Sequence, residues 1–165
     1  MESINLYFVN FEFNASIIFL LREYSFATVG YNEIAYYGPL LSKLAMVGIA
    51  LLAIIKAYKS EQYIFTSILF GLVIYYLFAT TVHPWYISLV LIFSIFTRYK
   101  FGIVWSLLIM LSYYAYSQPD FQENLTYVII EYVFVLIVMI VELIKYTKKD
   151  NFGLQIMDFF KIKDE

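Results

Sequence analysis

The chain has 165 residues, 62% of them hydrophobic and 15% charged, where an ordinary globular domain carries about 25% charged residues. One domain of this length cannot hide so much apolar surface inside itself, which excludes an ordinary soluble fold and calls for lipid as solvent. A net charge of −2 and the lack of a basic stripe argue against nucleic acid as a partner. The absence of cysteine excludes disulfide and thiolate chemistry, and a single histidine argues against a histidine-built metal site. No cofactor is implied.

The chain opens on Met1-Glu2-Ser3-Ile4-Asn5, which lacks the basic n-region of a signal peptide. Residues 1–35 carry Glu2, Glu12, Glu23 and Glu33 against a single Arg22. Residues 4–21 are apolar but interrupted by Asn10, Glu12, Asn14 and Ser16, a pattern that suits a membrane-interface segment better than a crossing.

A crossing needs about 20 predominantly apolar residues, and residues 36–55 meet that with Lys43 as their only charge and Pro39 near their start. Residues 62–97 contain no formally charged side chain. At about 1.5 Å per residue they are far too long for one passage through about 30 Å of hydrocarbon. Proline breaks a helix and restricts its predecessor, so His83-Pro84 divides this stretch into residues 64–82 and 85–96. The latter is short enough to be a re-entrant hairpin. A fourth segment covers 101–116, a fifth 125–144, and residues 147–165 form a tail.

The positive residues order these segments. Lys56 and Lys59 follow the first, Arg98 and Lys100 the third, and Lys145, Lys148 and Lys149 the fifth, whereas the His83 turn and residues 117–124 contain no lysine or arginine. Under the positive-inside rule this alternation fits five true crossings. It favours a short third span over a hairpin, and it puts the amino-terminal segment and the His83 turn outside the cell and the tail in the cytoplasm. The expected fold is therefore all-α: a polytopic helical membrane protein of about five transmembrane helices in the cell membrane, preceded by an extracytoplasmic interfacial segment. An outside segment of 35 residues without an export signal would ordinarily follow an earlier span, so the chain reads as missing its beginning.

Seventeen tyrosines and 16 phenylalanines, spread through the segments, are too many for interfacial belts alone. Asn14-Ala15-Ser16 and Asn124-Leu125-Thr126 match a short glycosylation pattern that arises often by chance. Phe152 to Lys163 is apolar enough for a short amphipathic helix on the membrane, although Gly153 weakens it.

Ionisable residues inside a span are costly and are functional candidates by default. Lys43 and Glu131 each lie about two turns in from the outer side and could pair across the bundle; the alternative for Lys43 is snorkelling to the surface. Glu142 shares a helix face with Glu131 but reads as an ordinary interfacial charge near Lys145. The run Thr80-Thr81-Val82-His83-Pro84-Trp85-Tyr86 places an imidazole and an indole together at a helix break. Imidazole can hydrogen-bond a phosphate or carboxylate and indole can stack on a sugar; the alternative is a helix corner with an interfacial tryptophan.

That run resembles the histidine-proline-tryptophan-tyrosine turn of multispanning GT-C-type glycosyltransferases, particularly bacterial mannosyltransferase-like proteins. The resemblance continues through Ile87 to Tyr116, including Phe96-Thr97-Arg98-Tyr99-Lys100-Phe101 and Val104-Trp105-Ser106. Phe11-Glu12-Phe13-Asn14-Ala15-Ser16, followed by Leu20-Leu21-Arg22, is similar to an outside segment of the same family. It spans roughly residues 4 to 145 and concerns the family's later portion. It implies transfer of a sugar from a polyprenyl-phosphate carrier to an acceptor on the outer side. Arg22 and His83 would hold the donor's phosphate, Trp85 or Tyr86 the sugar or prenyl chain, and Glu12 and Asn14 an acceptor hydroxyl. The family's catalytic acid lies in a first outside loop that has no match here, so no catalytic residue is assigned and activity is expected to need a missing amino-terminal half or a partner subunit. The alternatives are a non-enzymatic membrane subunit or remnant, and then a small transporter, which would call for paired intramembrane charges and an inverted repeat.

Overall fold

The computed structural model describes residues 12–56, 62–119, 121 and 123–150, and among them the regular structure is helix, with one isolated parallel bridge between Phe13 and Thr81. Helix α1, Ile17–Thr28, ends where Gly30 takes a left-handed φ of 82° and donates its N–H to Ser25 O, the position where glycine escapes the Cβ penalty. Asn32 then starts α2, Ile34–Lys56, by accepting the Ile34 N–H on its side-chain oxygen. Helix α3 is Gln62–Phe78, and a 3-10 turn at Pro84–Tyr86 leads into α4, Ile87–Phe96. Helix α5, Phe101–Leu108, tightens into a 3-10 segment at Ile109–Ser117. Helix α6, Leu125–Asp150, is the longest, and Asn124 caps it through its side-chain oxygen to Thr126 N–H.

Contacts along the bundle show an antiparallel meander. Gly48 packs on Ile74 and Gly38 on Thr80; Phe65 stacks on Phe96 while Tyr76 stacks on Tyr86. Across α5 and α6, Tyr99 meets Tyr146, Trp105 meets Glu131, and Tyr114 meets Tyr127. One end of the bundle therefore collects the His83 turn, Tyr114, Phe121, Tyr127 and the amino-terminal strap Glu12–Ser16. The opposite end collects Arg98, Lys100, Lys145 and the end of α2. Leu69, Val73, Val90, Phe101, Trp105, Ile109 and Val135 form the main core, and Ala15, Ile18, Ile34 and Leu41 a smaller one under α1.

The expected elements are present with shifted bounds. The second segment leaves helical geometry at Phe78 instead of residue 82, because Thr80, Thr81 and Val82 are used in extended backbone against Phe13. The fifth runs past residue 144 to Asp150, into what the sequence suggested as tail. Within the amino-terminal segment, helix forms from Ile17 to Thr28. Residues 1–11, Lys59, and the tail from 151 on, including the suggested amphipathic helix, lie outside the described residues.

Two helical stretches, Ile34–Ile54 and Leu125–Tyr146, are long and apolar enough to cross a membrane by length and composition; Tyr63–Phe78, Pro84–Phe96 and Phe101–Ser117 are apolar but shorter. Only 17% and 22% of the two long stretches is buried inside the bundle. On α6, Ile129, Val133, Phe134, Ile137, Ile140 and Val141 all face outward.

Candidate functional site

The site is assembled on the strap before α1. Asn14 takes a left-handed φ of 47°, a conformation that asparagine tolerates better than most residues. This turns its groups in three directions. Its backbone N–H donates to the carboxylate of Glu123. Its side-chain Nδ2 donates to both carboxylate oxygens of Glu131, at 3.1 and 3.0 Å. Its carbonyl accepts the Tyr132 hydroxyl at 2.7 Å.

Glu131 is fully buried. Such a carboxylate is expensive unless its oxygens are hydrogen-bonded, and the second donor is Trp105, whose Nε1 lies 2.8 Å from Oε1. Trp105 and Asn14 thus supply the partner that the sequence suggested Lys43 could be. That expectation is corrected: Lys43 is exposed on α2, and the donors on Glu131 come from α5 and the strap. The physical reason is that an indole and an amide already beside the carboxylate bind it without desolvating a second charge.

Phe13 carries the strap into the His83 turn. Its N–H donates to Thr80 O at 3.2 Å, and its carbonyl accepts the Val82 N–H at 2.8 Å. Its ring, fully buried, lies 5.0 Å from the imidazole of His83, 5.6 Å from Phe121 and 5.6 Å from Tyr116. His83 is buried and stacks nearly parallel on Trp85, with centroids 4.3 Å apart and 9° between the planes. Tyr86 presents its ring perpendicular to His83 at 5.4 Å. Trp85 is 54% exposed, so one indole face is backed by the imidazole and the ring remains accessible.

On the other side of Asn14, Glu12 accepts from Arg22 Nη1 at 2.9 Å and from Asn32 Nδ2 at 2.7 Å. Arg22 also reaches Glu23 at 3.4 Å and lies over the Phe19 ring at 4.5 Å. Burial pushes the Glu123 carboxyl up from the ordinary carboxylate range, against the pull of the Asn14 N–H bond and of Arg22; Glu12 adds to the push. Burial pulls the His83 imidazole down. The neutral ring is favoured there.

Of the residues singled out in the sequence, the structure brings His83, Trp85 and Tyr86 into one aromatic group and Glu12 and Arg22 into one ion pair. Asn14 joins the two through the strap. It is fully buried, which withdraws it from contact with an acceptor in this conformation and makes it a fixing point. Within the two glycosylation patterns, Asn14 Nδ2 is bound to Glu131, and Asn124 uses its side-chain oxygen to cap α6. Glu142, read as an ordinary charge, instead accepts the N–H groups of Lys100 and Phe101 at 2.9 and 3.0 Å and so caps α5 from a distant helix. Phe13, Trp105, Glu123 and Tyr132 were missed. Only Trp105 had a signal, as an indole among aliphatic residues whose N–H needs a partner when buried.

Among the described residues no group of three or more histidine, cysteine or acidic side chains could hold a metal ion. Comparison of the chain with models of known protein families, with curated proteins and with solved structures returns no match.

Proposed function

We propose that the chain is the bilayer-embedded part of a membrane glycosyltransferase that uses a polyprenyl-phosphate-linked sugar, with the His83 end of the bundle as its outer, ligand-facing end. One observation carries the reading. Two stretches that resemble the mannosyltransferase-like family, the Glu12–Arg22 segment and the Thr80–Tyr86 turn, are distant in sequence and meet through Phe13, while Trp105, from a third, holds the carboxylate that fixes Asn14.

Several features support membrane insertion. A core helix of a soluble protein is mostly covered by its own fold, whereas α2 and α6 leave apolar residues outward along their length. Lipid removes the cost of that surface. The five apolar segments alternate in direction, and Arg98, Lys100 and Lys145 gather at the end opposite His83, as the positive-inside rule requires of a cytoplasmic end. Pro84–Phe96 is short for a crossing. The bilayer would have to thin beside it or the residues flanking it reach for the interface.

At the outer end each group has a matching task. The exposed indole of Trp85 offers an apolar face to the C–H groups of a sugar ring, held in orientation by the His83 stack. Arg22 can turn from Glu12 to a phosphate, and a neutral His83 can donate a hydrogen bond without adding charge. In the transfer the acceptor oxygen bonds the sugar's anomeric carbon, the carrier phosphate leaves with the bonding electrons, and the hydroxyl proton passes to a base. None of the residues gathered here is assigned as that base: this end binds and orients.

The alternative of a non-enzymatic membrane subunit is favoured by one specific observation, that Arg22 is paired with Glu12 and that Asn14 joins Glu123, Glu131 and Tyr132, so these groups already bind one another. Titration of the purified full chain in lipid nanodiscs with farnesyl-phosphate mannose separates the two. Saturable binding that is lost in Trp85→Ala and weakened in Arg22→Ala supports the transferase reading. Absence of saturable binding in the unaltered chain leaves the subunit.

A further inference from the structure

We propose that Glu131 is the positioning residue of the outer end: by holding Asn14 it keeps the strap Glu12–Ser16 seated beside the His83 turn, and so sets the place of Glu12 and Phe13 relative to Trp85. The inference rests on the reading above for what the end binds, though the seating itself can be observed without a ligand.

The geometry is specific. Glu131 lies on α6, buried in the bundle, and its hydrogen bonds go to Asn14 and Trp105. Its carboxylate faces Trp105 on one side and Asn14 on the other. Tyr132 and Glu123, also on or just before α6, take the carbonyl and N–H of the same asparagine. Three groups around the start of one helix thus bind three different atoms of one strap residue. Immediately before Asn14, Phe13 is tied by two backbone hydrogen bonds to Thr80 and Val82. Beyond these, the strap is held by Ser16 Oγ on Leu77 O, by Glu12 through Arg22 and Asn32, and by its apolar rings.

This arrangement explains why a carboxylate sits where a hydrophobic residue would fill the space at lower cost. Two neutral donors converge on it from separate elements, and its Oε1 accepts from both, 2.8 Å from Trp105 Nε1 and 3.1 Å from Asn14 Nδ2. Removal of the acceptor leaves the Trp105 N–H and the Asn14 amide buried without it, which penalises the docked strap and leaves the undocked one able to reach solvent.

The test is amide hydrogen exchange on the full chain in nanodiscs, with the N–H groups of Phe13 and Val82 as reporters, followed by farnesyl-phosphate mannose titration. Glu131→Ala is expected to speed exchange at both reporters by about tenfold or more, while Leu69 and Val73 in α3 remain as protected as in the unaltered chain. Glu131→Gln, which keeps one oxygen for Trp105 and Asn14, should restore most of the protection. Asn14→Ala removes the same contact from the strap side and serves where Glu131→Ala fails to fold. Unchanged exchange at Phe13 and Val82 in these variants overturns the inference. Faster exchange with weaker donor binding supports both this inference and the site it serves. Faster exchange with unaltered donor binding supports the positioning role and removes the strap from the ligand site.

Discussion

Asn14 and Glu131 are 117 positions apart and meet through two hydrogen bonds of 3.1 and 3.0 Å, both inside the bundle. Trp105 completes that contact. Trp105→Phe keeps an aromatic ring in the core but removes the only indole donor to Glu131, whose bond is 2.8 Å long. A buried polar group left without its hydrogen-bond partner costs about 1–3 kcal/mol, so the variant should lose stability in that range. Denaturation in detergent, followed by far-ultraviolet circular dichroism, measures it; a change below about 0.5 kcal/mol would place the bond among interactions that water replaces without loss.

Glu142 tests a second long-range contact. It gives both oxygens to the Lys100 N–H and one to the Phe101 N–H, and Lys100 Nζ in turn binds Ser94 O at 2.9 Å and Thr97 O at 2.7 Å at the end of α4. The turn between α4 and α5 is therefore capped on both sides. Loss of an N-cap costs about 0.5–2 kcal/mol, so Glu142→Ala should lower stability by that amount and raise exchange at the Phe101 amide. Exchange there equal to the unaltered chain would mean that another acceptor takes over the cap.

Gly102 makes the α4–α5 contact possible. A Cβ added there would collide with Ser94 Oγ and lie 2.9 Å from Val90 O. The side-chain oxygen can swing away, but the carbonyl cannot move without its helix. Gly102→Ala is therefore expected to destabilise by about 1–3 kcal/mol, the usual cost of overpacking. In the double variant Gly102→Ala with Ser94→Ala, most of the loss should persist, because the backbone clash remains. Full recovery in a thermal unfolding assay would assign the clash to Ser94 alone.

Much of this architecture was legible in the sequence. Hydrophobic runs fixed the five segments after α1, since lengths of apolar residue and a proline break are local properties. The end of α3 was placed too late because the pairing of Val82 with Phe13 joins residues far apart in the chain, and hydropathy does not register backbone partners. For the same reason Glu131 was recognised as a carboxylate in need of a partner, while Lys43, which the sequence offered either as that partner or as a side chain snorkelling to the surface, is exposed on α2. Charge complementarity suggested lysine, while the structure uses the Trp105 indole and the Asn14 amide. His83, Trp85 and Tyr86 were legible as a group because one tight turn holds them. Phe13 gave no signal: among 16 phenylalanines, nothing marks one that sits against a histidine.

The alternation of the segments predicts accessibility in intact cells. The chain contains no cysteine, so single introduced thiols report cleanly. A thiol from Phe121→Cys, at the His83 end, should react with a membrane-impermeant maleimide added outside. One from Arg98→Cys should react only after the membrane is opened. Labelling of both from outside would contradict five crossings, and labelling of neither until the cells are opened would contradict the outward orientation of the His83 end.

The His83 turn should weaken in acid. Burial lowers the imidazole pKa from 6.5, so the folded turn favours the neutral ring while the unfolded chain takes up a proton more readily. Stability from this group is then fully present above about 6.5 and falls as pH drops toward the lowered folded value. Glu123 works in the opposite sense. Its carboxyl is raised from 4.5 by burial, so its share is greatest below that pH and is lost as pH rises through the raised value. Variants separate the two. His83→Gln should flatten the acid loss seen in Trp85 fluorescence, since the imidazole 4.3 Å from the indole is the group that gains charge. Glu123→Gln should leave that loss in place and remove the decline on the rising side. An acid loss that survives His83→Gln would mean that another group controls the turn.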